Sequence, residues 1–504
     1  MIKPQHYIFI VIALIAILLV SCKPSGSPKP SSEFASVSQV DSAIAIAVQM
    51  TAYSTTLLAD GKDQTPLRLT VIDMDGREIT SASNSLQIYV DGDAYITKAG
   101  GNDRITGSGY NISGNNLSLI TAVDTAGRQY FESKLENGLC LLDLHAGTTP
   151  AIIKVEVRSE KLWPASHEIH TIPANVTLLQ PSKDQLIPSR KMISRMIGAD
   201  ISFLPEFEDH GMKFYDFGPE TGQFVEKDAI EILRDHGFNY VRLRLFVNPE
   251  NEKGYSPQKG FCGISHTLDM AKRVKKTGMK LLLNFHYSDY WADPQQQNKP
   301  LAWADLDFET LKDTLREYTR KVLLTFANQG VLPDMVQIGN EVNHGILWPD
   351  GHISNSDNLA ELLKAGARGA ASVAPDMPIM MHIALGGQNK EAVFWLDNMI
   401  ARGVKFDVIG ISYYPRWHGT LDDLKYNLTD LASRYKKPLN VVEYATFKKE
   451  VHDIVFTLPD SLGTGTCIWE PLSPRWGGMF SDSGYVLDVI RIYDKLADKY
   501  LSEQ

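Results

Sequence analysis

Cysteine is scarce: the chain of 504 residues holds four, at 22, 140, 262 and 467. There is no C-x-x-C pair and no Cys/His cluster, which excludes the common zinc sites. With Cys22 set aside for the reason given below, Cys140, Cys262 and Cys467 remain. An odd set leaves at least one thiol unpaired, and all three read as buried, inert thiols. Runs of lysine and arginine are also missing. The balance of 50 basic against 60 acidic residues gives a net charge of −10, so nucleic acid is not an expected partner. A neutral polymer or a small molecule fits better. The apolar run Ile8–Val20 falls short of the roughly 20 residues a spanning helix needs.

That run, with Lys3 ahead of it, suits the core of a signal peptide. It stops at Leu19-Val20-Ser21-Cys22, which resembles a bacterial lipobox, in which the cysteine becomes the lipidated first residue. Residues 1–22 are therefore expected to be a lipoprotein leader, anchoring the chain to a bacterial membrane of the cell envelope without a spanning helix. Residues 23–44 begin as the Pro/Ser/Gly stretch Lys23 to Ser32, a composition that builds no core and makes an extended tether.

Residues 45–180 have a β texture. Alternation runs through Leu67-Arg68-Leu69-Thr70-Val71-Ile72 and Ile152-Ile153-Lys154-Val155-Glu156-Val157, with turn pairs at Asp60-Gly61, Asp75-Gly76, Asp91-Gly92 and Asn137-Gly138. Short strands with regular turns predict a β-sandwich. Ala59-Asp60-Gly61 with its following strand resembles bacterial Ig-like domains. No catalytic constellation appears there, and the region reads as a spacer.

After Gln180-Pro181-Ser182-Lys183-Asp184 the texture changes. From 190 to 502 short apolar runs alternate with helical segments: Arg195–Ile201, Tyr240–Val247, Lys280–Phe285, Met335–Ile338, Ile379–Ile383, Phe406–Ile411, Leu439–Val442 and Thr464–Trp469, each followed by a helix. Leu311, Leu315, Tyr318, Val322 and Phe326, at steps of three and four, mark one of those helices. Eight strand–helix units over this length predict an α/β fold, a (β/α)8 TIM barrel. An open doubly wound sheet lacks support, because no Gly-rich phosphate loop follows the first strand.

A TIM barrel keeps its active site at the C-terminal strand ends. Polar and aromatic residues accumulate there, among them Glu341 after strand four and Glu443 on strand seven. Two carboxylates facing one mouth are what glycoside hydrolysis requires: one protonates the leaving oxygen, the other attacks the anomeric carbon. Arg242 and a hydroxyl from Tyr413 or Tyr414 are expected to hold Glu443 ionised. Asn340 is placed for a sugar 2-hydroxyl, and His286 for the network around the carboxylates. Trp291, Trp417, Trp469 and Trp476 offer flat surfaces for the C–H faces of sugar rings, as does Trp303. Asp289 and Asp293 are candidates for sugar hydroxyls, although Asp293 suits a turn before Pro294 equally.

Gly339-Asn340-Glu341 and Glu443 resemble the large clan of retaining TIM-barrel glycosidases. Gly198-Ala199-Asp200-Ile201-Ser202, Phe285-His286-Tyr287-Ser288-Asp289 with Trp291-Ala292-Asp293-Pro294, Ser412-Tyr413-Tyr414-Pro415 with Trp417-His418-Gly419, and Trp469-Glu470-Pro471 resemble the endo-β-1,4-galactanases of glycoside hydrolase family 53. The likeness runs from about Met192 to Leu501 and leaves out the β-rich region. It implies that Glu341 is the acid/base, that Glu443 is the nucleophile, and that the substrate is β-1,4-galactan, as in type I arabinogalactan. No cofactor is implied, and a monomer is expected. Some relatives carry a calcium-binding loop after strand seven. Here Ala445 to Gly463 is short, its acids Glu450, Asp453 and Asp460 are scattered, and no metal is expected. Two other readings stay open at this point: a related TIM-barrel β-glycanase of other specificity, and a glycan-binding lipoprotein on an inactive barrel.

Overall fold

Eight parallel strands close into a barrel in chain order: Met196–Asp200, Tyr240–Leu245, Lys280–Phe285, Met335–Ile338, Ile379–Ile383, Val408–Tyr413, Leu439–Tyr444 and Gly463–Trp469. The computed structural model describes residues 44–74, 76–98, 104–106, 121–189, 191–473 and 477–502. The leader, Cys22 and Trp476 lie outside the described residues.

One residue from each strand, among them Met196, Tyr240, Leu282, Met380 and Cys467, packs into an apolar plug inside the barrel. A second, larger core lies between the strands and the surrounding helices. The expected helical stripe is there. The helix Phe308–Asn328 buries Leu311, Leu315, Thr319, Val322 and Phe326, and its N-cap Asp307 accepts the Thr310 amide hydrogen. Such a cap contributes about 1 kcal/mol. The free cysteines Cys140, Cys262 and Cys467 are all buried. No helix among the described residues is long and apolar enough to cross a membrane.

Two antiparallel-rich sheets precede the barrel, of five and six strands, and enclose their own core around Leu69, Ile88, Leu144 and Val155. The turn pair Asn137-Gly138 sits where both residues have positive φ, 52° and 77°, the conformation an Asn-Gly hairpin turn demands.

The β region is not a spacer. Residues 44–504 belong to one compact unit, and the strand Ala165–Pro173 runs its end into the barrel core, where Ile172 is fully buried. The Glu391 carboxylate, 2% exposed, accepts hydrogen bonds from the Thr55 amide at 2.5 Å, the Thr55 hydroxyl at 3.0 Å and the Thr56 hydroxyl at 2.7 Å. The Gln388 side chain donates to the Ala52 carbonyl at 3.2 Å. His170 stacks on His344 with ring centroids 3.9 Å apart and lies 3.0 Å from His352. A sequence texture reports which elements form. It carries no information on which of their outer faces are covered.

Candidate active site

Strand alternation decides which expected residues reach the barrel mouth. Successive side chains on a strand point to opposite sides. At the end of the sixth strand Ser412 points inward and Tyr413 outward, where its hydroxyl donates to the Gly419 carbonyl at 3.2 Å within the outer core. Tyr413 is therefore a packing residue and does not meet the carboxylates. Tyr414 does: its hydroxyl donates to Glu443 Oε2 at 3.3 Å.

Arg242, on the second strand, is the hub. Its Nη1 lies 2.7 Å from Glu443 Oε1 and 2.9 Å from Asp200 Oδ2, its Nη2 donates to Asn340 Oδ1 at 2.8 Å, and its Nε donates to Gln337 at 3.1 Å. A guanidinium spread over four acceptors is fixed in plane and fixes them in turn. The contacts expected of Arg242 and Tyr414 are present. Burial nevertheless outweighs them and lifts Glu443 above the usual carboxylate range, with Arg242 as the main opposing influence.

Glu341 is placed differently. Its backbone is left-handed, at φ 50° and ψ 53°, which costs a non-glycine residue of order 1 kcal/mol or more. Among the described residues no cation touches its carboxylate. Burial first, and the neighbouring Glu443 charge second, push its pKa well above the ordinary value. A hydrogen bond from the Ser412 hydroxyl to Oε1, 2.6 Å long, works against them. Ser412 is held in turn by His382 Nε2 at 2.8 Å. If Ser412 donates to the carboxylate, it accepts from His382, which assigns the proton to Nε2 and leaves Nδ1 to accept from Gln337 at 3.0 Å. Burial pushes His382 well below the usual histidine range, so it stays neutral.

Oxygen atoms of Glu341 and Glu443 and a ring nitrogen of His382 lie within 4.8 Å of one another. As a metal site the trio is poor, because His382 already spends both nitrogens on Ser412 and Gln337. As a pair of carboxylates with unlike surroundings facing one cleft of about 460 Å³, Glu341 and Glu443 suit acid/base and nucleophilic work on a bound acetal.

The comparisons agree with this geometry. Residues 196–461 match the family described as Glycosyl hydrolase family 53. The chain belongs to that family. It is 38% identical over 254 residues to the arabinogalactan endo-β-1,4-galactanase A of Aspergillus niger, covering 49% of this chain and 69% of that one. It is 39% identical over 317 residues to an uncharacterized protein in the bgaB 5′ region of Niallia circulans, covering 55% and 83%. Among solved structures, the family 53 catalytic domain of Ignisphaera aggregans aligns with a TM-score of 0.56 at 31% identity, over 63% of this chain and 99% of that one.

The family 53 site assembles most of the expected side chains. Trp291, Asp293, Trp417 and Trp469 line the cleft, as do His286 and Asn340. Burial raises the Asp293 carboxyl, which also closes a turn by accepting from the Gln295 amide at 2.8 Å. His286 makes no hydrogen bond to either carboxylate among the described residues. Its Nδ1 accepts from the Ala292 amide at 3.2 Å and so braces the Trp291 loop. Asn340 gives one amide hydrogen to the Ala292 carbonyl at 2.9 Å. Asp289 is a correction. It accepts the amides of Asn248 and Leu301, each at 2.8 Å, and clamps loops outside the cleft. Trp303 packs against Tyr318 in the core.

Asp200, Ser412 and Glu470 stand in the strand-end motifs without roles of their own, and they join Arg244 and His382 in the site. Arg244 is held between Phe203 and Trp291, 4.2 and 4.4 Å from the ring centroids, and its Nη1 lies 2.6 Å from Glu470. Glu470 also accepts the Phe203 amide at 3.1 Å. The signal for these residues was present in the strand alternation: two residues after an inward Arg242, Arg244 must also face in.

Proposed function

We propose that this chain hydrolyses β-1,4-galactosidic bonds inside galactan, including the galactan side chains of pectin, by double displacement with retention. The observation that carries the mechanism is the pairing of Glu341 and Glu443 with oxygen atoms within 4.8 Å of one another. Retaining glycosidases hold their carboxyl groups about 5–5.5 Å apart, whereas inverting ones leave roughly 6.5–9.5 Å for a water. The substrate reading rests on the galactanase relatives and on the tryptophans along the cleft.

Glu443, bound by Arg242 and Tyr414, attacks the anomeric carbon. Glu341 protonates the departing oxygen. Forming the glycosyl ester removes the Glu443 charge, the second-largest cause of the high Glu341 pKa. That pKa then falls, and Glu341 serves as base for the incoming water. Three measurements test this reading. Linear β-1,4-galactan should be cut in preference to mannan, xylan and cellulose. Proton NMR of the first product should show the β-anomer; an α-anomer appearing first excludes the covalent step. Glu443→Ala should lose about a thousandfold or more in kcat and recover part of it with azide, giving inverted product.

We further propose that Cys22 carries a lipid that holds the enzyme to the cell envelope. The reading rests on the cysteine closing an apolar run too short to span a membrane. Cys22→Ala should move the protein from the membrane fraction to the soluble fraction or block its maturation, and unchanged fractionation rejects the anchor.

A further inference from the structure

The cleft is not built by the barrel alone. Thr55, Ser166, His167 and Glu168, all from the preceding β region, line the same cavity as Glu341 and Glu443. Strand alternation puts Ser166, Glu168 and His170 on one face of the strand Ala165–Pro173. His170, fully buried, stacks on the barrel's His344, so that face is turned toward the barrel. Four residues back along it, Ser166 is exposed and Glu168 half-buried. The strand therefore passes from a packed contact into open cleft.

Its side of the cleft is also defined. Thr55 lies 2.9 Å from His344, in the loop that begins at Glu341, and Glu168 is near enough to Asp293 for its charge to raise that carboxyl. Asp293 in turn acts on Glu341. Glu443 is held instead by Arg242, which also binds Asp200. A retaining enzyme keeps its acid beside the leaving oxygen, so the strand stands where the departing part of the chain lies.

We propose that Ser166 and Glu168 form a leaving-group-side sugar subsite contributed by the N-terminal β region, with His167 and Thr55 completing its wall. The chemistry suits a hydroxyl-rich ring. Glu168 Oε1 is held by Lys154 at 2.9 Å, and the carboxylate, with about four lone-pair sites, has room to accept from a sugar hydroxyl as well. His167 Nε2 faces the Met50 carbonyl at 3.1 Å, which assigns the proton there and leaves Nδ1 as an acceptor. Ser166 supplies a donor and an acceptor. A carboxylate hydrogen-bonded to a hydroxyl is among the stronger polar contacts.

This inference rests on the galactanase reading, and the test separates the two. Full-length wild type, Glu168→Ala, Glu168→Gln and Ser166→Ala are assayed on linear β-1,4-galactohexaose and on a dinitrophenyl β-1,4-galactobioside, whose aryl leaving group offers no hydroxyl to the subsite. The ratio of kcat/KM on the hexaose to that on the aryl substrate should fall about tenfold in Glu168→Ala, equivalent to about 1.4 kcal/mol, mainly through KM. Glu168→Gln should fall less. An unchanged ratio overturns the subsite, and so does an equal fall on both substrates, which would mean that the strand only braces the site. A wild type inactive on both removes the galactanase reading and the subsite with it. Should Glu168→Ala fail to fold, as judged by thermal melting, Ser166→Ala carries the same comparison.

Discussion

Glu341 and Glu443 are the same side chain in unlike surroundings, and the difference lies in their neighbours. Glu443 touches a guanidinium and a phenol; among the described residues the Glu341 carboxylate takes one hydrogen bond, from the Ser412 hydroxyl. On the proposed mechanism the acid limb of the kcat/KM profile should report Glu443, which would have to be ionised to attack, and the alkaline limb Glu341, which would have to be protonated to assist. Ser412 stabilises the ionised form of Glu341, so its removal favours the protonated form. Ser412→Ala should shift the alkaline limb to higher pH by about 0.5–1 unit and leave the acid limb within error. A shift to lower pH, or none, would mean that Ser412 does not donate to Glu341 in the free enzyme.

Among the elements, the strand Ala165–Pro173 and the residues around Thr55 have the largest reach, because they join two cores. The change of texture at residue 180 suggests that a chain starting near Met192 is a free-standing catalytic unit. The interface argues otherwise. Removing residues before 192 leaves the buried Glu391 carboxylate without its Thr55 and Thr56 donors and uncovers His344 and Gln388. It also takes Ile172 out of the barrel core, and losing the burial of one such side chain costs about 1.5–3 kcal/mol. The truncated chain should express poorly or melt at least about 5 °C below the full-length protein, and calorimetry of residues 44–504 should show one transition; two separated transitions would restore the spacer. The barrel itself was legible in sequence, since all eight strand–helix units recur with boundaries off by a few residues. Continuous apolar strands and three-four helical stripes are local signals. Glu341, Glu443, Arg242 and Tyr414 were legible because each sits at a countable position on a strand end. The inward/outward split of Tyr413 and Tyr414 needed the register of the sixth strand. The roles of Thr55 and Glu168 needed contacts between residues far apart in the chain, which periodicity does not record.

Over the whole molecule, regularity and strain sit at different places. One layer of the barrel interior is a plain apolar plug, whereas six non-glycine residues with positive φ, Cys262, Tyr287, Glu341, Leu347, Phe447 and Glu470, lie in loops that follow barrel strands, against three, Lys436, Asp460 and Ser461, in loops that precede them. The catalytic face is thus where the fold is least comfortable, and Glu341 is its clearest case: a buried acid in a backbone conformation that glycine adopts freely. Glu341→Gly relaxes the backbone and removes a carboxyl that burial disfavours. It should raise the unfolding free energy by about 1–2 kcal/mol while abolishing acid catalysis, as thermal melting and galactan assays of the same preparation would show; a lower melting temperature would place the strain elsewhere. On the proposed mechanism, drift toward greater heat resistance in this chain would pass first through the loss of its acid, and glutamate at position 341 would be kept by selection for turnover, against the preference of the fold itself.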